Sequence, residues 1–183
     1  MLSVCSATKK DLSSILALQR KNLSSSLSLE EQTTEGFVTV QHRIEQLVLL
    51  HHSAPQIIAK ENEIIVGYAL VMPPALKSTI AVLTPLFERL STLKYKGIPL
   101  QELRYYVMGQ ICVAKSHRGQ GVVEKLYATH RAFLAHQYDY CITEISTRNL
   151  RSMRAHIKQG FELIHQFSDA TDEWNIVLWD WTK

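Results

Sequence analysis

The sequence predicts an α/β domain with a mixed central sheet flanked by helices. Three observations carry that prediction. The 183 residues fit one domain, where two would be cramped. The composition, 46% hydrophobic and 20% charged, is that of a chain that buries a core. The apolar periodicities come in the order strand, two helices, three strands, helix, strand, helix, two strands.

Residues 1–5 read as a short opening strand. Asp11 precedes Leu12, Ile15 and Leu16, which share one helical face, and this first helix ends near Asn22. The Ser-rich stretch 22–28 and the polar stretch 30–36 have the composition of turn and loop. A second helix is expected over residues 40–51, with Ile44, Leu47 and Val48 on one face and Pro55, which lacks an amide N–H, beyond its end. Residues 56–59 and Ile64–Met72 are rich in Ile and Val and flank Lys60, Glu61, Asn62 and Glu63, the pattern of a hairpin. Pro73 and Pro74 end the second strand. Thr84 and Pro85 then look like an N-cap and first-turn proline before Leu86, Phe87, Leu90 and Leu93, so a helix over residues 79–93 is expected. It lies in a stretch, 73–104, far longer than the few residues that a strand connection needs. A strand Tyr105–Val113, a helix over 122–137 and a strand Tyr140–Ser146 follow. A helix over 150–159 is stopped by Gly160, and strands at about 162–167 and 175–180 close the chain.

Several classes are excluded. The longest apolar run, Ile64–Met72, is broken by Gly67 and falls short of the about 20 residues of a membrane-spanning helix. Residues 1–11 lack the apolar segment of a secretion signal, so a cytoplasmic protein with no membrane partner is expected. Cys5, Cys112 and Cys141 are odd in number, show no C-x-x-C or His/Cys ligand spacing, and read as buried free thiols; no metal site is expected. His42, His51 and His52 repeat no ligand spacing and read as surface or loop residues. A net charge of +3 is too mild for a nucleic-acid binder but suits a small phosphorylated ligand.

The chemistry concentrates downstream. Strand Tyr105–Val113 runs through Lys115, Ser116, His117, Arg118, Gly119, Gln120 and Gly121 into a helix whose Val122, Val123, Leu126 and Tyr127 are amphipathically spaced. Glycines let the backbone turn and approach a ligand closely, and the free N–H groups of a helix N-terminus suit a phosphate. On residues alone, this segment is either an anion site or a plain strand-to-helix turn. It has no Gly-Lys-Ser/Thr of a Walker loop and no third glycine of a dinucleotide fingerprint. Asn149 follows the next strand, with Ser152 three residues on and Gly160-Phe161 eleven residues on.

Together these motifs resemble the GNAT superfamily of acyl-coenzyme A N-acyltransferases, over about residues 105–167, and the upstream element order fits it too. The resemblance implies a sheet splayed between its fourth and fifth strands, Tyr105–Val113 and Tyr140–Ser146, with the pantetheine arm of acetyl-CoA in the splay. It implies that Arg118, Gly119, Gln120, Gly121, Val122 and Val123 bind the pyrophosphate. Ser116 stands where the family loop begins with Gln or Arg, a departure that backbone binding tolerates. Asn149 and Ser152 would contact the arm, and the backbone of Ile111, Cys112 and Val113 would hold the arm and the thioester oxygen. The implied reaction is transfer of an acetyl group to a primary amine by direct attack within a ternary complex; the alternative is a noncatalytic acyl-CoA-binding module.

In members resembling ribosomal-protein N-terminal acetyltransferases, a Glu lies five residues before the motif asparagine and a Tyr seven after. Glu144 and His156 hold those positions here, which implies a base acting through water and an acid for the leaving thiolate. On residues alone, Glu144 also fits an exposed or ion-paired strand carboxylate, and His156 a polar helix face. Arg148, Arg151 and Arg154 fit either a phosphate neighbourhood or a solvated face. The insert carries apolar Leu83, Leu86, Phe87, Leu90 and Leu93, which need a surface: the acceptor side or a homodimer contact. The acceptor is expected to be a small-molecule or peptide amine.

Overall fold

Alternation opens the chain: β1, Leu2–Ser6, turns Ser3 and Cys5 to solvent and half-buries the residues between. The computed structural model describes residues 1–78 and 80–183, with Val82 described by its backbone alone. Helix α1, Leu12–Arg20, buries Leu12, Ile15, Leu18 and Gln19. The polar stretch expected as loop is instead a helix, α2, Leu29–Glu35. Its start is set by a reciprocal cap: Glu31 N donates to Ser28 Oγ (3.2 Å) and Ser28 N donates to Glu31 Oε2 (3.1 Å). Helix α3, Ile44–Ser53, begins four residues later than expected. The preceding segment is pinned to the sheet instead: Gln110 Nε2 donates to Val40 O (2.9 Å) and His42 N donates to Gln19 Oε1 (2.8 Å).

Strands β2, Ile57–Glu61, and β3, Ile64–Met72, form the expected hairpin. The turn is two residues, not four, with Asn62 (φ 48°) and Glu63 (φ 65°) both left-handed, as the twist of a hairpin prefers. Within the insert, α4 spans only Thr84–Leu90; of the expected 79–93 helix, Thr79 lies outside the described residues. Leu93 leads into a small hairpin, β4 Lys94–Tyr95 and β5 Ile98–Pro99, which the sequence reading missed. Tyr95 bonds Glu162 and Asp180, and Lys96 Nζ lies 2.8 Å from Asp180 Oδ2, so the insert is tied to the far side of the sheet.

The remaining elements are β6 Tyr105–Val113, α5 Val122–Leu134, β7 Tyr140–Ser146, α6 Leu150–Lys158, β8 Phe161–Ser168 and β9 Glu173–Asp180. The main sheet has seven strands in the order β1-β2-β3-β6-β7-β9-β8, with β6 and β7 paired parallel and the other neighbours antiparallel. This is the expected mixed sheet. One apolar layer joins Leu12, Ile15, Leu47, Leu50, Leu86 and Leu90 to the sheet; the other joins Val122, Leu126, Tyr127 and Leu134 of α5 to the opposite face. Fully burying each such side chain contributes about 1.5–3 kcal/mol.

Two sequence expectations about side chains are corrected. Cys5 is exposed, because it falls on the outward phase of β1; Cys112 and Cys141 are buried, and burial pushes both thiols up to about 12. His42 is buried rather than at the surface, with its Nδ1 accepting from Gln19 Nε2 at 2.8 Å. Among the described residues no helix is long and apolar enough to cross a membrane.

Candidate active site

The site is built where β6 and β7 part. They pair only from Tyr105–Val107 to Tyr140–Ile142. At the parting point Thr143 Oγ1 donates to Met108 O at 2.9 Å, and beyond it β6 follows β3 while β7 follows β9. The divergence has a local cause: the β3–β6 register shifts between Leu70 and Val71, so Gly109 is an extra residue on β6, and such a bulge bends its strand. The resulting splay opens two adjoining cavities that share Phe37, Val38, Ile111, Asn149, Ser152 and His156.

The outer cavity, about 400 Å³, leads from the splay to the N-terminus of α5. Gly119 (φ 73°) and Gly121 (φ 72°) are both left-handed, a conformation that costs a residue with a side chain about 1–2 kcal/mol, and a Cβ at either would meet no atom within 4 Å. The loop is therefore glycine for its backbone path, and its open side faces the cavity. The first intrahelical bond, Lys125 N to Gly121 O at 3.1 Å, leaves the amides of Val122 and Val123 as helix-end donors. Cys112 and Val113 line this cavity beside Ile111; Gln120 does not, its amide turning back to Ser116 O at 2.9 Å.

Arg118, which the resemblance places among the pyrophosphate-binding residues, has its guanidinium committed inward. It donates to Asn22 Oδ1 (2.6 Å), Glu35 O (2.7 Å), Glu35 Oε2 (2.9 Å) and Val113 O (3.1 Å). Glu35 also lies 3.8 Å from Lys115 and 3.7 Å from Arg151, and the Arg118 bond holds its carboxyl below the usual range. One acidic residue thus draws three cations together and fastens α2 to the loop. Arg154 and Lys158 also line the cavity; Lys158 is paired with Glu124 at 2.7 Å. Arg148 pairs with Asp172 at 2.7 Å, away from it.

The inner cavity, about 70 Å³, lies on the side of Glu144. Burial, reinforced by the negative charge of Asp169, pushes the Glu144 carboxyl up from 4.5 to about 8. Asn149 caps α6, accepting from Ser152 N at 3.2 Å, and donates to Phe37 O at 2.8 Å, so it joins the two walls of the splay. His156 is buried against Phe161 (ring centroids 5.0 Å) and Tyr127 (5.6 Å). Its Nδ1 lies 2.8 Å from Ser152 O, and since a carbonyl only accepts, the ring proton is on Nδ1. Burial lowers its pKa to about 4. At neutral pH, Nε2 therefore carries no proton, the opposite of what the expected acid requires.

The sequence matches the acetyltransferase (GNAT) family model over residues 20–161. The chain belongs to that family. The fold of this GNAT protein is shared with solved structures. They include yncA of Salmonella typhimurium, solved with its cofactor acetyl-CoA (13% identity, 100% of this chain and 95% of that chain, TM-score 0.66). The ribosomal-protein-S18-alanine N-acetyltransferase of Escherichia coli is similar at 10% identity, covering 98% and 94%, TM-score 0.65. Diaminobutyrate acetyltransferase EctA of Paenibacillus lautus, in complex with L-2,4-diaminobutyric acid and coenzyme A, is similar at 18% identity, covering 99% and 96%, TM-score 0.61. No curated protein matches the sequence.

Reading the sequence missed several residues that line this GNAT site: Phe37, Val38, Gln110 and Thr143, and the bulge at Gly109. A glycine in the interior of the strand Tyr105–Val113 is the signal for the bulge. Gln110 had none, because its burial depends on partners far away in sequence: it accepts from Gln19 Nε2 (2.7 Å) and from Tyr68 OH (2.5 Å).

Proposed function

We propose that the protein is an N-acetyltransferase that moves an acetyl group from acetyl-CoA to a primary amine by direct attack within a ternary complex, with Glu144 as the base. The observation that carries the reading is the half-buried carboxyl of Glu144 on the wall of the inner cavity, which adjoins the outer one and whose surroundings hold that carboxyl above its ordinary range. Family membership supplies the acyl donor, a substrate here, and the outer cavity suits it. The left-handed glycine turn and the amides of Val122 and Val123 would take the pyrophosphate, and Asn149, Ser152 and the edge of Ile111, Cys112 and Val113 would line the arm.

The proton inventory follows from these groups. An alkyl amine is an ammonium at neutral pH, and its nitrogen has no lone pair to give until a proton leaves. Glu144, ionised, takes that proton through a water. The freed nitrogen attacks the thioester carbonyl carbon, the carbonyl pair moves to oxygen, and its return breaks the carbon–sulfur bond. The nitrogen, positively charged after attack, must then lose a second proton, and the thiolate must gain one. That nitrogen is the proton source beside the sulfur, so the acid role first assigned to His156 is not needed. His156 instead fixes the α6 turn through Ser152 O, and its Nε2 is buried without a hydrogen-bond partner.

The test is release of free thiol from acetyl-CoA with a panel of primary amines, together with recovery of the N-acetyl product. Turnover that Glu144→Gln abolishes while acetyl-CoA affinity is retained supports the reading. Tight acetyl-CoA binding without turnover of any amine refutes it and supports the noncatalytic module.

A further inference from the structure

The outer cavity carries a carboxylate, Glu35, in the wall where an acyl donor would bring its phosphates, and this step rests on the donor site proposed above. Glu35 ends α2 and is followed by Gly36 and Phe37, and all three line that cavity. This short strap is tied on two sides. On one, Arg118, beside the glycine turn, donates to Glu35 O (2.7 Å) and Glu35 Oε2 (2.9 Å). On the other, Asn149 at the head of α6 donates through Nδ2 to Phe37 O (2.8 Å). Between them Gly36 has φ 74°, and a Cβ there would lie 3.0 Å from Asn149 Oδ1, so the close approach to α6 requires glycine.

The Arg118 fork is spent on the protein itself. Its other two nitrogens donate to Asn22 Oδ1 (2.6 Å), just past α1, and to Val113 O (3.1 Å), at the end of β6. One planar guanidinium thus joins α1, α2 and β6 to the turn that begins at Gly119, a fixed geometry that the point charge of a lysine does not reproduce. Glu35 and Arg118 also line a third cavity, about 1060 Å³, so the pair forms part of the wall between it and the outer one.

Two effects of Glu35 on a phosphorylated ligand oppose each other. By charge alone the carboxylate repels phosphate, and its removal would leave Lys115 (3.8 Å), Arg118 (2.9 Å) and Arg151 (3.7 Å) without that counter-charge. By geometry it holds in place the segment whose backbone amides would meet the pyrophosphate, and donors already in position bind more tightly than donors that must first be ordered. The geometry wins. Glu35 is already matched by three cations and its side chain is 26% exposed, so its repulsion is screened, whereas the Arg118 side chain is only 13% exposed and its bonds are charge-assisted.

We propose that Glu35 is a positioning residue for the acyl donor, acting through Arg118 to fix the glycine turn, so that a carboxylate strengthens the binding of an anion. Arg118 is then a brace within the protein and not a phosphate ligand.

The experiment is calorimetric titration of the whole protein with coenzyme A, for wild type, Glu35→Gln, Arg118→Lys and the double variant, with melting midpoints recorded alongside. We expect each single variant to bind about tenfold or more weakly, and the double variant to lose clearly less than the product of the two losses, because the residues act as one unit. In the thiol-release assay, KM for acetyl-CoA should rise about tenfold or more in Glu35→Gln while kcat at saturating donor stays within about twofold of wild type, a split that a general loosening of the fold would not give. Glu35→Gln binding as tightly as wild type or more tightly would overturn the proposal, and so would a double variant whose loss is the full product. Undiminished binding by Arg118→Lys, which keeps the charge and loses the fork, would overturn it too, and this variant decides the matter if Glu35→Gln fails to fold. If no amine is turned over, the transferase reading falls and the titrations still decide this one; if wild type binds no coenzyme A, the donor site and the proposal fall together.

Discussion

Replacing Glu144 with glutamine should stabilise the protein in alkaline solution while removing its activity. The carboxyl has an ordinary value of 4.5 and is pushed to about 8 in the folded chain, first by burial and then by Asp169. Below pH 4.5 it is protonated whether the chain is folded or not, and contributes nothing to the balance. Between 4.5 and 8 the unfolded chain releases a proton that the folded chain keeps, so stability falls as pH rises; above 8 the whole penalty is present. At about 1.4 kcal/mol per pH unit the interval sets a ceiling of about 5 kcal/mol, and partial access to water reduces this to about 2–4 kcal/mol. A glutamine of nearly the same shape avoids that cost. Because a domain of this size shifts by about 2–4 °C per kcal/mol, the variant should melt about 5–10 °C higher than wild type at pH 9 and within about 1 °C at pH 4.5. Differential scanning calorimetry of the two proteins from pH 4.5 to 9 measures the difference, in which every other titrating group cancels to first order. A difference that does not grow with pH, or a variant less stable at pH 9, would refute the claim that this carboxyl is held protonated by its surroundings.

The remaining predictions concern rate and binding. In wild type, kcat at saturating amine should rise through an acid limb at or below pH 8, since the bound ammonium favours the carboxylate; Glu144→Gln should abolish the limb and lower kcat about 100-fold or more. Asp169→Asn should move that limb down by less than half of the interval between 4.5 and about 8, because Asp169 is the smaller of the two causes; a larger move would mean that burial has been overrated. His156→Phe should keep kcat within about fivefold of wild type and leave the pH profile between 6 and 9 unchanged, since a group with a pKa of about 4 does not titrate there; a new alkaline limb would restore the acid role. Gly121→Val must place a β-branched residue at φ 72°, and calorimetric titration should show acetyl-CoA affinity at least about tenfold weaker; unchanged affinity would remove the loop from the site.

How much of this was legible in the sequence depends on the range of the interaction that decides each feature. Strands β3, β6 and β7 begin and end where their apolar runs do, because flanking prolines, loop residues and the glycine turn are neighbours in sequence. The glycine turn, Asn149 and Glu144 could be singled out because their spacing along the chain is itself the signal, and the fold sets them along the two adjoining cavities. Helix α2 was misread as loop although Ser28 and Glu31 carried a capping box, since the apolar stripe that normally announces a helix is missing: none of its residues is buried. Its stability comes from that cap and from Glu35, whose three cationic contacts reach residues about 80 to 116 positions away.

Protonation lay furthest out of reach. Position identified Glu144 and His156 as a pair, yet the state of each is set by residues from other elements. Phe161 at the start of β8 and Tyr127 in α5 enclose the imidazole, and Ser152 O, one turn back on α6, takes its only proton. Asp169, in the turn between β8 and β9, adds its charge to the burial of Glu144. The same folding event therefore moves the two groups in opposite directions across neutrality. The carboxyl is raised into the range where it can cycle at working pH, and the imidazole is lowered until it no longer can. In the mechanism proposed above, a single titrating group of the protein would then govern the transfer, and the second proton would travel with the substrates themselves.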